Sequence, residues 1–285
     1  MNRRTFIKRM FGSFFAFAGV TGGTYYYARD VEPTLLTVHQ ENIYSKRLPK
    51  QFNNYRIVQF SDTHIGFQYT VKQLRDLADT VNSLEPDLIV FTGDLVDQPD
   101  LYNWNPQLID ALQQFQASKK LWIYGNHDHG GNGTTILKNL MNQAGFSLLL
   151  NEHQILKRGQ GQITIAGIDD MSLGQPDIDT ALYGAPADQF TILLSHAPDF
   201  ADIAKSYPID LQLSGHSHGG QVRLPFVGSL ITPSYAQKYV RGKYVLENET
   251  DHMNLFVNSG IGTTRMPYRF LCKPEVHCYT LQHQS

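Results

Sequence analysis

From residue 55 onward the chain alternates short runs of branched and aromatic residues with stretches in which apolar side chains recur every three or four positions. YRIVQF reads as a strand, and in TVKQLRDLADTVNSL the residues Val71, Leu74, Leu77, Ala78 and Val81 fall at helical spacing. The alternation continues through DLIVFT, a helix near NPQLIDALQQF, KLWIYG, a helix near TTILKNLMNQA, and the strands SLLLNEHQIL and QITIAGI. After Asp177 come a short helix, FTILLS, a second short helix in DFADIAKS, and DLQLSG; strands then dominate, in QVRLP, GSLIT, GKYVLE, NLFVNSG and EVHCYTLQ. Early strand–helix alternation predicts parallel strands with crossover helices, and the β-rich tail predicts a second sheet packed on the first. No repeat or low-complexity linker interrupts the pattern.

The polar residues that follow these runs carry the chemistry. The first run ends in Ser61-Asp62-Thr63-His64, the second in Gly93-Asp94-Leu95-Val96-Asp97 and the third in Gly125-Asn126-His127-Asp128. Two later runs end in Ser195-His196 and Gly215-His216-Ser217-His218. The carboxyl ends of strands in an open α/β sheet share one edge, above which ligands bind. That predicts one site from residues spread over more than 150 positions. Singly, each Asp or His suits a cap or a surface role; five strand ends bearing them together point to metal. The donors are carboxylate, carboxamide and imidazole with no thiolate, a set suited to Mn²⁺, Fe²⁺ or Zn²⁺. His216 and His218, two apart in an extended segment, face one side of the backbone. Gly219 and Gly220 then allow a sharp turn, either simply as the turn before QVRLP or also as a source of backbone N–H groups for a phosphate.

Charge narrows the partners. The net charge of −2 divides into +4 over residues 1–30, where Arg3, Arg4, Lys8, Arg9 and Arg29 face only Asp30, and −6 over the remainder. An acidic body argues against dedicated nucleic-acid binding. Cys272 and Cys278 are too few for a disulfide framework, and on one extended strand they lie too far apart to bond; a turn at Lys273-Pro274 would bring them closer.

Residues 1–30 read as a targeting segment: a basic start, then an uncharged, mostly apolar stretch from Met10 to about Tyr27. Asn2-Arg3-Arg4-Thr5-Phe6-Ile7-Lys8 resembles the twin-arginine export signal, with an ordinary basic leader as the alternative. This implies the twin-arginine translocase as a partner during export, and a destination in the cell wall, the periplasm or the outer face of the membrane. The leader is either cleaved, with Ala16-Phe17-Ala18 as a candidate site, or kept as an anchor through residues 10–27.

SDTH, GDLVD, GNHD, LLSHAPD and SGHSHGGQ, in this order, resemble the five motifs of the calcineurin-like metallophosphoesterase superfamily, over about residues 55–281. With GHSHGGQ and the tail NSGIGTTRMPYRFLCKPEV, the chain is similar to secreted bacterial phosphodiesterases of the YkuE/YaeI type. The resemblance implies an α/β fold, a four-layer αββα sandwich of two mixed sheets flanked by helices, with residues 31–285 as one catalytic domain. It implies two divalent metal ions per chain, Mn, Fe or Zn: the first held by Asp62, His64 and His218, the second by Asn126, His196 and His216, with Asp94 bridging them. A hydroxide held between such ions attacks phosphorus without a covalent enzyme intermediate. His127 would serve the leaving oxygen, and Asp97 would orient and charge His127. Asp128 would support His127 or satisfy backbone amides.

Departures from relatives narrow the activity. Gln98-Pro99 stands where Ser/Thr protein phosphatases carry Arg after GDxVD, and Asp97 stands where purple acid phosphatases carry a Tyr ligand. The expectation is a phosphoester hydrolase, first a phosphodiesterase, acting on a phosphodiester or diphosphate of an envelope polymer or lipid. The alternatives are a lipid-directed diphosphatase resembling UDP-2,3-diacylglucosamine hydrolases and a non-catalytic envelope metalloprotein, against which His127 and Asp97 argue, since neither is needed merely to hold metal. Arg223, Arg241, Tyr235, Tyr239 and Arg265 are weaker candidates for substrate contact, as are Asp169 and Asp170. His39, His129, His153, His252, His277 and His283 read as structural or solvated.

Overall fold

The apolar runs become two six-stranded sheets stacked face to face. The computed structural model describes residues 3–248 and 251–284, so Asn2 of the export pattern and Ser285 lie outside the described residues. The first sheet runs in the order β1 (Thr37–Ser45), β14 (Glu275–His283), β2 (Tyr55–Phe60), β3 (Leu88–Phe91), β4 (Lys119–Trp122) and β5 (Ser147–Leu148). The second runs β12 (Gly242–Asn248), β13 (Asp251–Val257), β9 (Leu211–Ser214), β8 (Thr191–Leu194), β7 (Gly161–Gly167) and β6 (Glu152–Arg158). Both are mixed: β2 to β5 are parallel and β14 antiparallel to β2, while β7, β8, β9 and β13 are parallel between two antiparallel edge strands.

The period of two along each strand divides the apolar side chains between layers. Ile57, Leu88, Val90 and Leu121 face Ile163, Ile165, Ile192, Leu211 and Leu213 between the sheets. Val58, Ile89 and Phe91 point outward, under α2 (Val71–Ser83), α3 (Pro106–Gln113) and α4 (Gly131–Gln143). Ala166, Leu193 and Leu255 point the other way, toward α5 (Ile178–Leu182) and α6 (Ala201–Ala204). The result is the αββα sandwich. Helix α2 shows how the sequence sets such an element: Thr70 accepts from the Gln73 amide and the Gln73 side chain returns the bond, while Leu74, Leu77, Ala78 and Val81 are buried.

Three expectations need correction. SLLLNEHQIL is not one strand: it breaks after Leu148, leaving β5 in the first sheet and starting β6 in the second. The tail does not all join the second sheet, because β14 returns to lie between β1 and β2, and β1 precedes the region where the alternating pattern begins. The ligand-bearing strand ends do not share one edge: those of β2, β3 and β4 belong to the first sheet and those of β8 and β9 to the second. Residues Arg3–Tyr26 form helix α1. Among the described residues no helix is long and apolar enough to cross a membrane.

Candidate active site

The two sheets stack with their parallel strands ending on the same side, so five loops converge on one cleft. Its lining includes Asp94, Asn126, His127, His216, His218 and Arg265. The backbone there is bent out of ordinary strand geometry: Asp62, His64, Asp94, His216 and His218 all have φ between 45° and 66°. Non-glycine residues in this region carry strain that packing must hold, a property concentrated at functional sites. Gly125 and Gly215 permit the close approach, since a Cβ at Gly125 would collide with the Asp94 carboxylate and one at Gly215 with Ser61 and Asp62.

Two groups of donors result: Asp62, His64 and His218 in one, Asp94, His196 and His216 in the other, each with its ligand atoms within 4.8 Å of one another. Asp94 Oδ2 stands between them, 3.5 Å from His64 Nε2 and 3.3 Å from His196 Nε2. Hydrogen bonds fix which ring nitrogen faces inward. His196 Nδ1 donates to the Thr92 carbonyl at 2.6 Å, and His216 Nε2 donates to the Ser234 carbonyl at 2.8 Å. A carbonyl only accepts, so each of those nitrogens carries the hydrogen. The other two nitrogens, His196 Nε2 and His216 Nδ1, then face each other at 3.1 Å. Across the cleft His64 Nδ1 donates to Asp97 Oδ1 at 3.1 Å, and its Nε2 lies 3.0 Å from His218 Nε2. Both nitrogen–nitrogen separations are those of an N–H···N hydrogen bond and lie close to ~3.3 Å, the spacing of nitrogens that share a divalent cation at ~2.05 Å. Asn126 Oδ1 is buried with no hydrogen-bond partner, a further lone pair for a cation.

The electrostatics separate the imidazoles: burial would lower His196, but the Asp94 and Asp62 carboxylates keep it well above its ordinary value. Burial alone would raise the Asp94 carboxyl, but His196, His127 and His64 hold it well below the usual range. Burial and the neighbouring His196 push His216 down to about 4, and burial with His64 and Arg269 holds His218 well below its ordinary value. Imidazoles so held are neutral at pH 7 and ready to ligate.

Asp97 supports two histidines of the cleft: its carboxylate hydrogen-bonds His64 Nδ1 and the Thr264 hydroxyl and stands within ion-pair distance of His127, whose Nδ1 donates to the Asp97 backbone carbonyl at 2.6 Å. His127 Nδ1 is 3.8 Å from the Asp97 carboxylate. Asp128 accepts from the amides of Asp94, Leu95 and Gly125, and so holds two of the loops together. Of the weaker candidates, Arg265 lines the cleft. Arg223 is spent on Gly219 and Ser229, Arg241 on Glu275, and Tyr239 on Asp202, while Tyr235 is exposed and its carbonyl accepts from the Asp199 amide. Asp169 pairs with His129, and Asp170 caps the Ser172 and Leu173 amides. His153 and His283 donate to the Ala181 and Leu48 carbonyls.

Sequence reasoning passed over Arg269, Glu275 and Glu32. Arg269, fully buried, donates to the carbonyls of Ser259, Gly262 and Cys272, fixing the loop whose Ile261 and Gly262 amides bond the carbonyls of Ser61 and Asp62. Glu275 anchors the same loop through the Ser259 amide at 2.7 Å. Glu32 accepts from the Leu271 and Cys272 amides. A charged residue amid apolar neighbours, as Arg269 is, was the one available signal; nothing local marks Glu32. Glu275 with His39 and His277 also forms a group of metal-ligand type. There the Arg241 guanidinium, 3.4 Å from Glu275 Oε2, supplies a cation from the chain itself. Cys272 and Cys278 are buried and free.

Residues 55–220 match the family described as calcineurin-like phosphoesterase. The chain is 45% identical over 284 residues to the uncharacterized metallophosphoesterase YkuE of Bacillus subtilis strain 168, covering 99% of this chain and 98% of that protein. It is 27% identical to the phosphodiesterase YaeI of Escherichia coli K12, over 78% of this chain and 80% of that one. It is also 27% identical to the UDP-2,3-diacylglucosamine pyrophosphatase LpxG of Chlamydia muridarum, over 89% and 91%. Four other curated relatives are longer, the chain spanning between 54% and 62% of their length. A family match that begins at β2, the first motif-bearing strand, and runs through Gly220, past the last imidazole of the cleft, covers the residues that build the centre; the chain belongs to the calcineurin-like phosphoesterase family and is a metal-dependent hydrolase.

Proposed function

We propose that the chain is an exported phosphoester hydrolase with a two-metal centre, acting first on phosphodiesters. The observation that carries the two-metal reading is the pair of donor groups, Asp62, His64 and His218 on one side and Asp94, His196 and His216 on the other, each with its ligand atoms within 4.8 Å of one another and with the Asp94 carboxylate within 3.5 Å of an imidazole of each. Asp62, His64 and His218 would hold one cation and Asn126, His196 and His216 the other, with Asp94 offered to both. Two divalent cations in such a centre polarise phosphoryl oxygens and lower the pKa of a shared water. The nitrogen and oxygen donor set, without thiolate, is compatible with manganese, iron or zinc.

The chain's own residues do the rest. His127 has its Nδ1 tied to the Asp97 carbonyl, so its Nε2 is the proton carrier for the leaving oxygen. Burial would lower this ring's affinity for a proton, but Asp94 and Asp97 raise it above the ordinary histidine value, which favours the donor form. Asp97 is a positioning residue that orients His64 through its side chain and His127 through its backbone. Residues 31–285 form the catalytic domain, and residues 1–30 are a twin-arginine-type leader, kept or removed.

The test uses the full chain, stripped with chelator and assayed on bis-p-nitrophenyl phosphate before and after Mn²⁺ is restored, with bound metal counted. Stripped protein should be inactive and regain turnover at two ions per chain. His127→Ala should keep both ions while kcat falls by ~10²–10⁴. Full turnover with a single ion, or His127→Ala as fast as wild type, would refute this reading.

A further inference from the structure

Beside the cleft stands a small hairpin, β10 (Arg223–Leu224) and β11 (Gly228–Ser229), which buries almost none of its apolar side chains. Leu224, Phe226, Val227, Leu230 and Ile231 are all exposed, and Phe226 is fully so, at the turn. Its φ of 64° is an unfavourable backbone state for a phenylalanine, held while the ring points into solvent. A contiguous exposed apolar patch of this kind marks an interaction surface.

The hairpin is tied to a second exposed segment. Arg223 donates to the Phe270 carbonyl and Phe270 to the Gln221 carbonyl, and on the same segment Met266 and Leu271 are exposed. That segment also carries the base of helix α1. Tyr25 packs on Tyr268, Tyr27 on Phe270, and the Arg269 amide donates to the Ala28 carbonyl. Helix α1 in turn leaves Phe6, Ile7, Met10, Phe11, Phe17 and Val20 exposed. Both uncovered apolar elements therefore spring from one scaffold, with tyrosines 25, 26, 27 and 268 grouped at their junction, as tyrosines group at the headgroup level of a bilayer.

Charge selects the occupant. Residues 221–246 and 259–274 contain no Asp or Glu, whereas Arg223, Arg265 and Lys273 lie among the apolar side chains. Two copies of this chain meeting through that face would bring like charges together. Anionic headgroups around an apolar interior complement it, and a protruding turn with no groove needs no shaped partner. We propose that the hairpin and the 266–271 segment form a docking face for a lipid bilayer, which seats the mouth of the cleft on the membrane. Ile231, Pro233, Arg265 and Met266 line that mouth, so a phosphoester carried at the lipid surface enters it directly. This rests on the phosphoesterase reading for its purpose, though not for the docking itself.

The test keeps α1 in place and interrogates the hairpin alone. Phe226→Trp in the full chain is mixed with vesicles of equal parts phosphatidylcholine and phosphatidylglycerol carrying brominated acyl chains, with wild type supplying the background of Trp104 and Trp122. The added emission should shift to the blue and be quenched. Phe226→Ser combined with Val227→Ser should weaken co-sedimentation with the same vesicles by about tenfold or more. Turnover of bis-p-nitrophenyl phosphate in water should be unchanged, which shows that this variant folds. Unaltered emission from Trp at position 226, or equal sedimentation of the double variant, overturns the proposal. So does a dimer in light scattering that the double variant dissolves, since the face then belongs to a second copy. Absence of turnover in wild type would sink the phosphoesterase reading and leave the quenching result to decide docking.

Discussion

Strand β9 has an ionised cluster at each end, and the two are built on opposite principles. Before its first residue, Asp210 accepts from the Thr191 amide and from Arg47, whose guanidinium also donates to the Ala187 and Gln189 carbonyls. The negative charge is met by a cation of the chain. Beyond its last residue, Asp62 and Asp94 are buried among the imidazoles of His64, His196, His216 and His218, whose ring nitrogens crowd into two groups of metal-ligand type. The buried guanidinium near that end, Arg269, directs its hydrogens at backbone carbonyls. One end closes on a single guanidinium, and the other gathers two carboxylates and four imidazoles around one cleft. A buried carboxylate alone therefore does not mark a metal centre; one set within a group of ligand-type side chains does.

The largest break in this comparison comes from Asp94→Asn, which removes the charge between the two donor groups. Turnover on bis-p-nitrophenyl phosphate should fall by on the order of 10³-fold or more, with fewer ions bound per chain by elemental analysis. Turnover and metal content like wild type would mean that the imidazoles alone define the centre. At the other end Arg47→Ala should leave metal binding intact and lower stability by about 3 kcal/mol in urea unfolding, because Asp210 loses its cation while still buried. If stability were unchanged, the pair would not be the closed system described here.

The smallest effect is one of pH. Burial pushes the Asp210 carboxyl up to about 6, against the pull of the Thr191 amide and Arg47. An unfolded aspartate titrates near ~3.9, so the folded chain binds this proton more tightly. Its contribution to stability is therefore largest at low pH, declines between about 4 and about 6, and stays reduced above. Asp210→Asn should flatten that decline: the variant's melting temperature, relative to wild type, should rise between about pH 4 and about pH 7, by the equivalent of about 1–2 kcal/mol. A constant offset across that range would show that Asp210 titrates normally in the fold.

The cleft was legible because each motif joins two local signals, an apolar run and the polar residues after it. Both survive without knowledge of strand partners. Partnering was the illegible part. Nothing in YRIVQF says that its neighbours are β3 and the distant β14, and the tie between Gln59 and Tyr279 spans 220 positions. The same limit placed the five strand ends on one sheet edge, when His196, His216 and His218 come from the opposing sheet. Asp97 was found as a support for the site, but whether its carboxylate reaches His64 or His127 depends on loop geometry that the spacing does not encode. Glu275 and Arg269 act on a loop near Asp62 from positions more than 200 residues away.

The insertion of β14 between β1 and β2 bears on the order in which the molecule is made. Until residues 275–283 leave the ribosome, β1 has no strand to pair with, and the loop beside Asp62 lacks its Glu275 anchor. Long-range pairing of this kind is slow to form. Cations therefore meet a finished centre only after synthesis has passed that strand, which ties their uptake to a late stage of the protein's biogenesis.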